Sequence, residues 1–269
     1  MGRQTPVGAR RGEYDARYQY EKVTMNSVYT IIFAAVLPAF LLVLYIWWKD
    51  KYEREPFSQI VKGVFYGVLS AGIAYFLEVG VQVFGLAPEQ PYTFLQAAWK
   101  AFVGAAIPEE FAKLLMLLFL VRHNRHFNER FDGIVYACCV GMGFAATENL
   151  IYLFSNISEW ESVAVSRAVF AVPGHFLFAV AMGYFYSMVY FGDISWRKRN
   201  RVFWVPVVLH GTYDSLLFMV NLNTFLSGVL LIVFYIFCWK MLKYGRKSIK
   251  DNIERDRQDP NQIAYWKDR

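Results

Sequence analysis

The chain contains about seven apolar stretches, each long enough to cross a lipid bilayer as an α-helix. A helix needs about 20 mostly apolar residues to span the hydrocarbon core. Because unpaired backbone groups are costly in lipid, spanning segments fold as helices or as closed barrels, and stretches of this length favour helices. The sequence therefore predicts an all-α, polytopic membrane helical bundle. The stretches are 26–48, 57–85, 94–121, 131–154, 162–191, 202–221 and 223–241.

Composition supports a membrane protein and argues against a nucleic-acid partner. Hydrophobic residues make up 56% of the 269 residues, which is unusual for a soluble domain. The net charge of +6 comes from basic residues between the apolar stretches rather than along one face, so the expected partner is the lipid bilayer. We divide the chain into an N-terminal tail (1–25), a transmembrane domain (26–242) and a C-terminal tail (243–269), and we expect both tails to be mobile.

The charges of the connecting segments predict the orientation of the bundle. The segments 86–92, 155–161 and 221–223 contain no Lys or Arg, whereas the remaining connections are rich in both. The positive-inside rule places the basic segments and the C-terminus in the cytoplasm, and an odd number of spans then places the N-terminus outside. The basic N-terminal tail runs against this rule, and Met25, which opens directly onto the first stretch, is a candidate start of the native chain. The basic segments are 48–56, 121–130, 193–201 and 240–250.

Several charged and polar residues interrupt the apolar stretches. A charge at the bilayer centre costs roughly 2.5 kcal/mol or more, so such residues usually face the bundle interior and mark function. Helix rise places Glu109, Glu110 and His175 near the midplane, and the i, i+4 spacing of His210 and Asp214 puts both on one helix face. We interpret Glu78 and Arg167, which lie in no motif, as interhelical partners or snorkelling ends. The interrupting residues are Glu78, Glu109, Glu110, Lys113, Glu148, Asn149, Arg167, His175, His210 and Asp214.

Two imidazoles and several carboxylates at one depth predict a hydrolytic site. Zinc accepts His nitrogen and Glu oxygen, and a carboxylate beside the remaining water can act as general base. The same groups also fit a glutamate-activated water without metal. Lys113 lies one turn from the paired glutamates and is expected to neutralise them. No HExxH, GxSxG or phosphate-loop motif is present. An aspartyl pair of Asp214 and Asp193 is disfavoured, since Asp193 falls about 20 Å from the midplane.

The motifs together resemble the PrsW family of membrane proteases. That family is grouped with the CAAX-processing and Abi-type intramembrane glutamate or metalloproteases. The resemblance covers about residues 26–242. Its motifs are WKDKYEREP (48–56), IPEEFAK (107–113), GFAATEN (143–149), PGH (173–175) and HGTYD (210–214).

This resemblance implies an intramembrane endopeptidase. Glu109 or Glu110 would activate water, while His175 and His210 would bind zinc or the oxyanion. The implied substrate is a single-span membrane protein such as an anti-sigma factor, cut first on the extracytoplasmic side (site-1 cleavage) in a stress response. The implied catalytic residues are Glu109, Glu110, Glu148, His175, His210 and Asp214, the implied metal ligands are His175, His210, Glu110 and Glu148, and the supporting residues are Lys113 and Asn149.

Two other functions fit the same residues. A proton-coupled transporter also needs buried Glu, His and Asp side chains, and Pro108 and the Pro173–Gly174 pair suggest the broken helices common in transporters. The chain contains no repeat relating two halves, which weakens that interpretation. A catalytically inactive receptor or immunity protein on the same scaffold is the third alternative.

Overall fold

The computed structural model describes residues 25–222 and 225–258, which form helices and short connections without a β-strand. The predicted N-terminal tail over 1–24 lies outside these residues. Two short π-helical segments, π1 and π2, interrupt the α-helices. In chain order the elements are α1 (Met25–Lys49), α2 (Phe57–Val83), α3 (Phe94–Trp99), π1 (Lys100–Ala106), α4 (Ile107–Val121), α5 (Arg130–Ser155), α6 (Trp160–Ser166), π2 (Arg167–Ala171), α7 (Val172–Tyr190), a 3-10 turn (Trp196–Lys198), α8 (Arg201–Val220) and α9 (Ser227–Gln258).

The predicted polytopic bundle is confirmed. Within the described part of the chain, six helices are long and apolar enough to cross a membrane. Large apolar side chains such as Phe33, Phe65, Phe76 and Trp239 are exposed on the outside of the bundle, as expected for a surface that faces lipid. The six helices are Val28–Lys49, Phe57–Val83, Arg130–Ser155, Trp160–Tyr190, Trp196–Val220 and Ser227–Gln258.

Helix α5 forms the centre of the bundle. It packs against α1, α2 and α7 and also contacts α4 and α9. Glycines allow the two closest approaches: a Cβ atom on Gly67 of α2 would lie 2.2 Å from the Val140 carbonyl oxygen of α5, and one on Gly183 of α7 would lie 2.2 Å from the Gly133 carbonyl oxygen. Small residues that let helix backbones touch are a common means of helix association in membranes, where lipid removes the hydrophobic driving force.

The predicted span 94–121 consists of three consecutive pieces, α3, π1 and α4, of 6, 7 and 15 residues. Its charged residues Lys100, Glu109, Glu110 and Lys113 distinguish it from the six helices that are apolar enough to cross a membrane. A second break, π2, precedes α7. In both places a proline is the second residue of the next α-helix, and proline has no N–H and crowds the carbonyl four residues earlier. The wider π turn accommodates this crowding.

The C-terminal tail predicted from residue 243 differs from the structure over its first part. Helix α9 continues to Gln258. Asn252 and Asp256 are buried, and both bond to the start of α5: the Asn252 amide donates to the Arg130 carbonyl (2.9 Å), and Asp256 accepts from the Arg130 and Phe131 N–H groups (2.9 Å each). The contact face is small and polar, so apolar periodicity does not reveal it.

We predict that Gly67→Ala lowers the stability of the bundle by about 1–3 kcal/mol, because the added methyl collides with the α5 backbone. The measurement is the thermal unfolding midpoint of the purified protein in detergent. Gly72→Ala on the same helix is the matched control, since a Cβ atom there has no neighbour within 4 Å. Equal midpoints for the two variants would contradict the packing described for α2 and α5.

Candidate functional site

Paired glutamates at the start of α4 form the base of the site. Glu109 and Glu110 are buried, and Lys113 lies one turn further along the same helix face. The Lys113 ammonium donates to Glu109 Oε2 (3.0 Å) and to Glu110 Oε1 (2.9 Å). It also lies 3.8 Å from the centre of the Phe144 ring. The ion pair expected from the sequence is therefore present, and it is shielded from lipid.

His210 of α8 lies between three carboxylates. Its Nδ1 is 2.9 Å from Glu110 Oε1, and its Nε2 is 3.2 Å from Asp214 Oδ2 and 3.9 Å from Glu109 Oε2. Phe178 of α7 stacks on the imidazole with ring centres 4.7 Å apart. Asp214 thus contacts one ring nitrogen of His210, as the i, i+4 spacing predicts, and the stacked Phe178 ring fixes the plane of the imidazole.

His175 of α7 faces the same glutamates from the opposite side. Its Nδ1 lies 3.2 Å from the Lys113 ammonium, which can only donate, so Nδ1 accepts. The proton is then on Nε2, which donates to Glu148 Oε2 over 2.8 Å. A histidine with one nitrogen bonded to a carboxylate and a lone pair on the other has the arrangement common to metal-binding histidines.

Arg167 of π2 supports this side of the site. It donates to Glu148 Oε2 (2.6 Å) and to Asn149 Oδ1 (2.6 Å), while the Asn149 amide donates to the Ala35 carbonyl of α1 (3.0 Å). The sequence predicted Arg167 only as an interhelical partner or a snorkelling end. Its contact with Glu148 adds it to the site, and its position as a cation inside an apolar stretch was the signal available.

Four of the predicted residues offer ligand atoms within 4.8 Å of one another: Glu109, Glu110, His175 and His210. Imidazole nitrogen and carboxylate oxygen are the donors that zinc accepts, and Glu110 Oε2 is buried without a hydrogen-bond partner. The residues therefore fit a metal ion, with Lys113 beside three of them. Glu148, predicted as a ligand, lies behind His175 and outside this group.

A cavity of about 330 Å³ opens beside the glutamates, between α2 and α5. Glu109 and Glu148 lie in its wall, whereas Glu110 does not. Glu78, expected to be an interhelical partner, lines the cavity too. The lining continues through Tyr152 to the C-terminal end of α5, away from the basic segments. Water can therefore reach Glu109 from this cavity.

The structure brings all the predicted site residues into one network of contacts. The disfavoured aspartate, Asp193, instead pairs with Arg130 at the other end of α5 (2.6 Å). The network contains Glu109, Glu110, Lys113, Glu148, Asn149, His175, His210 and Asp214.

Comparisons with known proteins identify the family of this chain. The family model described as PrsW family intramembrane metalloprotease matches residues 55–241. The chain is 35% identical to Protease PrsW of Geobacillus kaustophilus over 71% of this chain and 80% of that protein. It is 31% identical to Protease PrsW of Clostridioides difficile (77% and 86%) and 30% identical to that of Bacillus subtilis (84% and 99%). No solved structure gives a significant match. The chain therefore belongs to the PrsW family and is an intramembrane protease.

Proposed function

We propose that the chain cleaves a single-span membrane protein with a water molecule that Glu109 activates beside a bound zinc ion. The observation that carries this proposal is the convergence of two glutamates and two histidines from three helices within 4.8 Å, next to a cavity. Burying charged groups at this depth in a membrane costs free energy, so such groups usually pair with one another and mark a functional site. A transporter would need the same groups, but the family match supports proteolysis.

Among the two glutamates, the contacts favour Glu109 as the general base. Glu109 lies in the cavity wall, whereas Glu110 is completely buried and bonded to His210 and Lys113. In this role Glu109 takes a proton from a water molecule while the water oxygen attacks the scissile carbonyl. Glu109 then gives that proton to the leaving amine. Lys113 keeps Glu109 and Glu110 close together by offsetting their mutual repulsion.

Glu110, His175 and His210 are the residues that would hold zinc. A bound zinc ion would act as a Lewis acid that polarises the carbonyl and makes water easier to deprotonate. Glu148 orients His175 and Asp214 orients His210, each through the second ring nitrogen. The charge balance also favours a divalent cation, because the carboxylates of the network outnumber its permanent cations. The carboxylates are Glu109, Glu110, Glu148 and Asp214, and the cations are Lys113 and Arg167.

The position of the cavity supports a cut near the outer side of the plasma membrane. The cavity lining ends at Ser155 and Asn156, at the end of the bundle that lacks the basic segments. If those basic segments lie in the cytoplasm, the C-terminus is cytoplasmic, the N-terminus is outside, and the cavity faces outward. Such an opening suits the first cleavage of a membrane-anchored regulator of the anti-sigma-factor type.

We predict that Glu109→Gln lowers cleavage of a co-expressed single-span substrate by about 10²–10⁴-fold, because the amide cannot take a proton. Immunoblotting of substrate and product measures the rate. Glu161→Gln, the same change at an exposed position on α6, is the control and should cleave like the parent chain. Normal cleavage by Glu109→Gln and also by Glu110→Gln would rule out the proposed roles.

We also predict that the purified protein contains zinc and that its removal by a chelator abolishes cleavage until zinc is restored. Glu148→Gln should weaken zinc affinity by about 10–100-fold, as expected for a residue that orients a ligand. His210→Ala should lose zinc altogether, since it removes a ligand. Elemental analysis and chelator titration measure both. A metal-free protein with full activity would instead favour the metal-independent glutamate mechanism.

A further inference from the structure

A second group of carboxylates lies at the basic end of the bundle. It lies at the N-terminal end of α5, whereas Glu148 of the membrane site lies in the C-terminal part of the same helix. Asp50 follows α1, Glu129 is the N-cap residue of α5, and Asp132 lies in the first turn of α5. All three are buried, with relative exposures of 0–2%. They offer oxygen atoms within 4.8 Å of one another. Three ionised carboxylates that are this close together and buried from solvent repel one another strongly.

Backbone N–H groups satisfy only part of this cluster. Asp50 Oδ2 accepts from the Glu55 N–H (2.8 Å), and Asp132 Oδ2 accepts from the N–H groups of Asn128 (2.9 Å) and Glu129 (2.6 Å). Glu129 completes a capping box by accepting from the Asp132 N–H. The second oxygen of each carboxylate is buried without a hydrogen-bond partner, and so is the side-chain carbonyl oxygen of Asn128. Buried acceptors without donors are uncommon and call for an explanation such as a bound ion or water.

Basic side chains only partly offset the charge of these carboxylates: Arg54 lowers the pKa of Asp50, but burial has the larger effect. Within residues 25–222 and 225–258, none of them forms an ion pair with Lys or Arg. Arg130, which follows Glu129 in the sequence, pairs with Asp193 and Asp256. Burial therefore raises the pKa of Asp50 to about 6 and that of Glu129 to about 8. A cation bound by the unpartnered oxygens would remove this cost.

We propose that Asp50, Glu129 and Asp132, together with the Asn128 side-chain carbonyl, bind a divalent cation of the Mg²⁺ or Ca²⁺ class. The donor set consists only of oxygen, which favours these hard cations over zinc. Oxygens on opposite sides of a bound Ca²⁺ lie about 4.6–5.2 Å apart, so oxygens within 4.8 Å of one another can share one ion. The cation ties the segment after α1 to the N-terminus of α5, and it is independent of the zinc proposed for the membrane site.

The test measures cation-dependent stability of the full-length protein in detergent after EDTA treatment. At a concentration 100-fold above its dissociation constant, Mg²⁺ or Ca²⁺ should raise the thermal midpoint by roughly 5–10 °C. Asp132→Asn and Asp50→Asn should abolish the shift. Asp251→Asn is the matched control, because Asp251 bonds to Tyr184 and Arg255 and is not in the cluster. It should respond like the parent chain.

Two further measurements keep the inference separate from the membrane site and from failures of folding. The Glu110→Gln variant, altered only in the membrane site, should keep the cation response. Binding of Mn²⁺ to the parent chain, followed by electron paramagnetic resonance, should be displaced by Mg²⁺ or Ca²⁺. A parent chain that binds no Mn²⁺ and shows no midpoint shift would overturn the inference, leaving shared protons to hold the carboxylates together. A response retained by Asp132→Asn and Asp50→Asn would overturn it as well.

Discussion

The membrane site depends on the contacts of the Lys113 ammonium with the paired glutamates. The ammonium lies within 3.2 Å of oxygen or nitrogen atoms of Glu109, Glu110 and His175, which come from two helices. In a medium of low dielectric constant, two adjacent carboxylates on one helix would repel each other strongly or require protons if no cation were nearby. With the ammonium between them, the same carboxylates attract His210 and α8 as well. One buried cation thus permits four polar side chains to meet inside lipid.

The backbone that carries these residues is equally specific. Both glutamates of the pair and His175 follow a proline that lies just after a π-helical segment. A π turn rotates the following residues relative to a continuous α-helix, so it changes which side chains face the bundle. Pro108 and Pro173 therefore mark the two points at which the chain turns its polar residues inward. Arg167, at the start of the second π segment, then reaches Glu148.

Much of this arrangement could be predicted from the sequence because the membrane makes polar residues conspicuous. Glu109, His175 and His210 stand out in apolar stretches, and helix rise alone gives them a common depth. Distances across helices were beyond that reasoning: it assigned Glu148 to the metal, whereas Glu148 bonds to His175 from behind. The helical continuation to Gln258 was also missed, since its contacts with α5 are hydrogen bonds of Asn252 and Asp256, which have no hydrophobic period.

The glycine contact between α2 and α5 has a consequence for how far a substrate has to unwind. Gly67 and Gly143 press the two backbones together, whereas Glu78, about 16 Å further along α2, borders the cavity. The two helices are therefore in close contact at Gly67 and separated by the cavity at Glu78. In the proteolysis proposed above, a substrate helix entering beside Glu78 would meet this glycine contact as a floor, so only the part of the substrate beside the cavity would need to become extended.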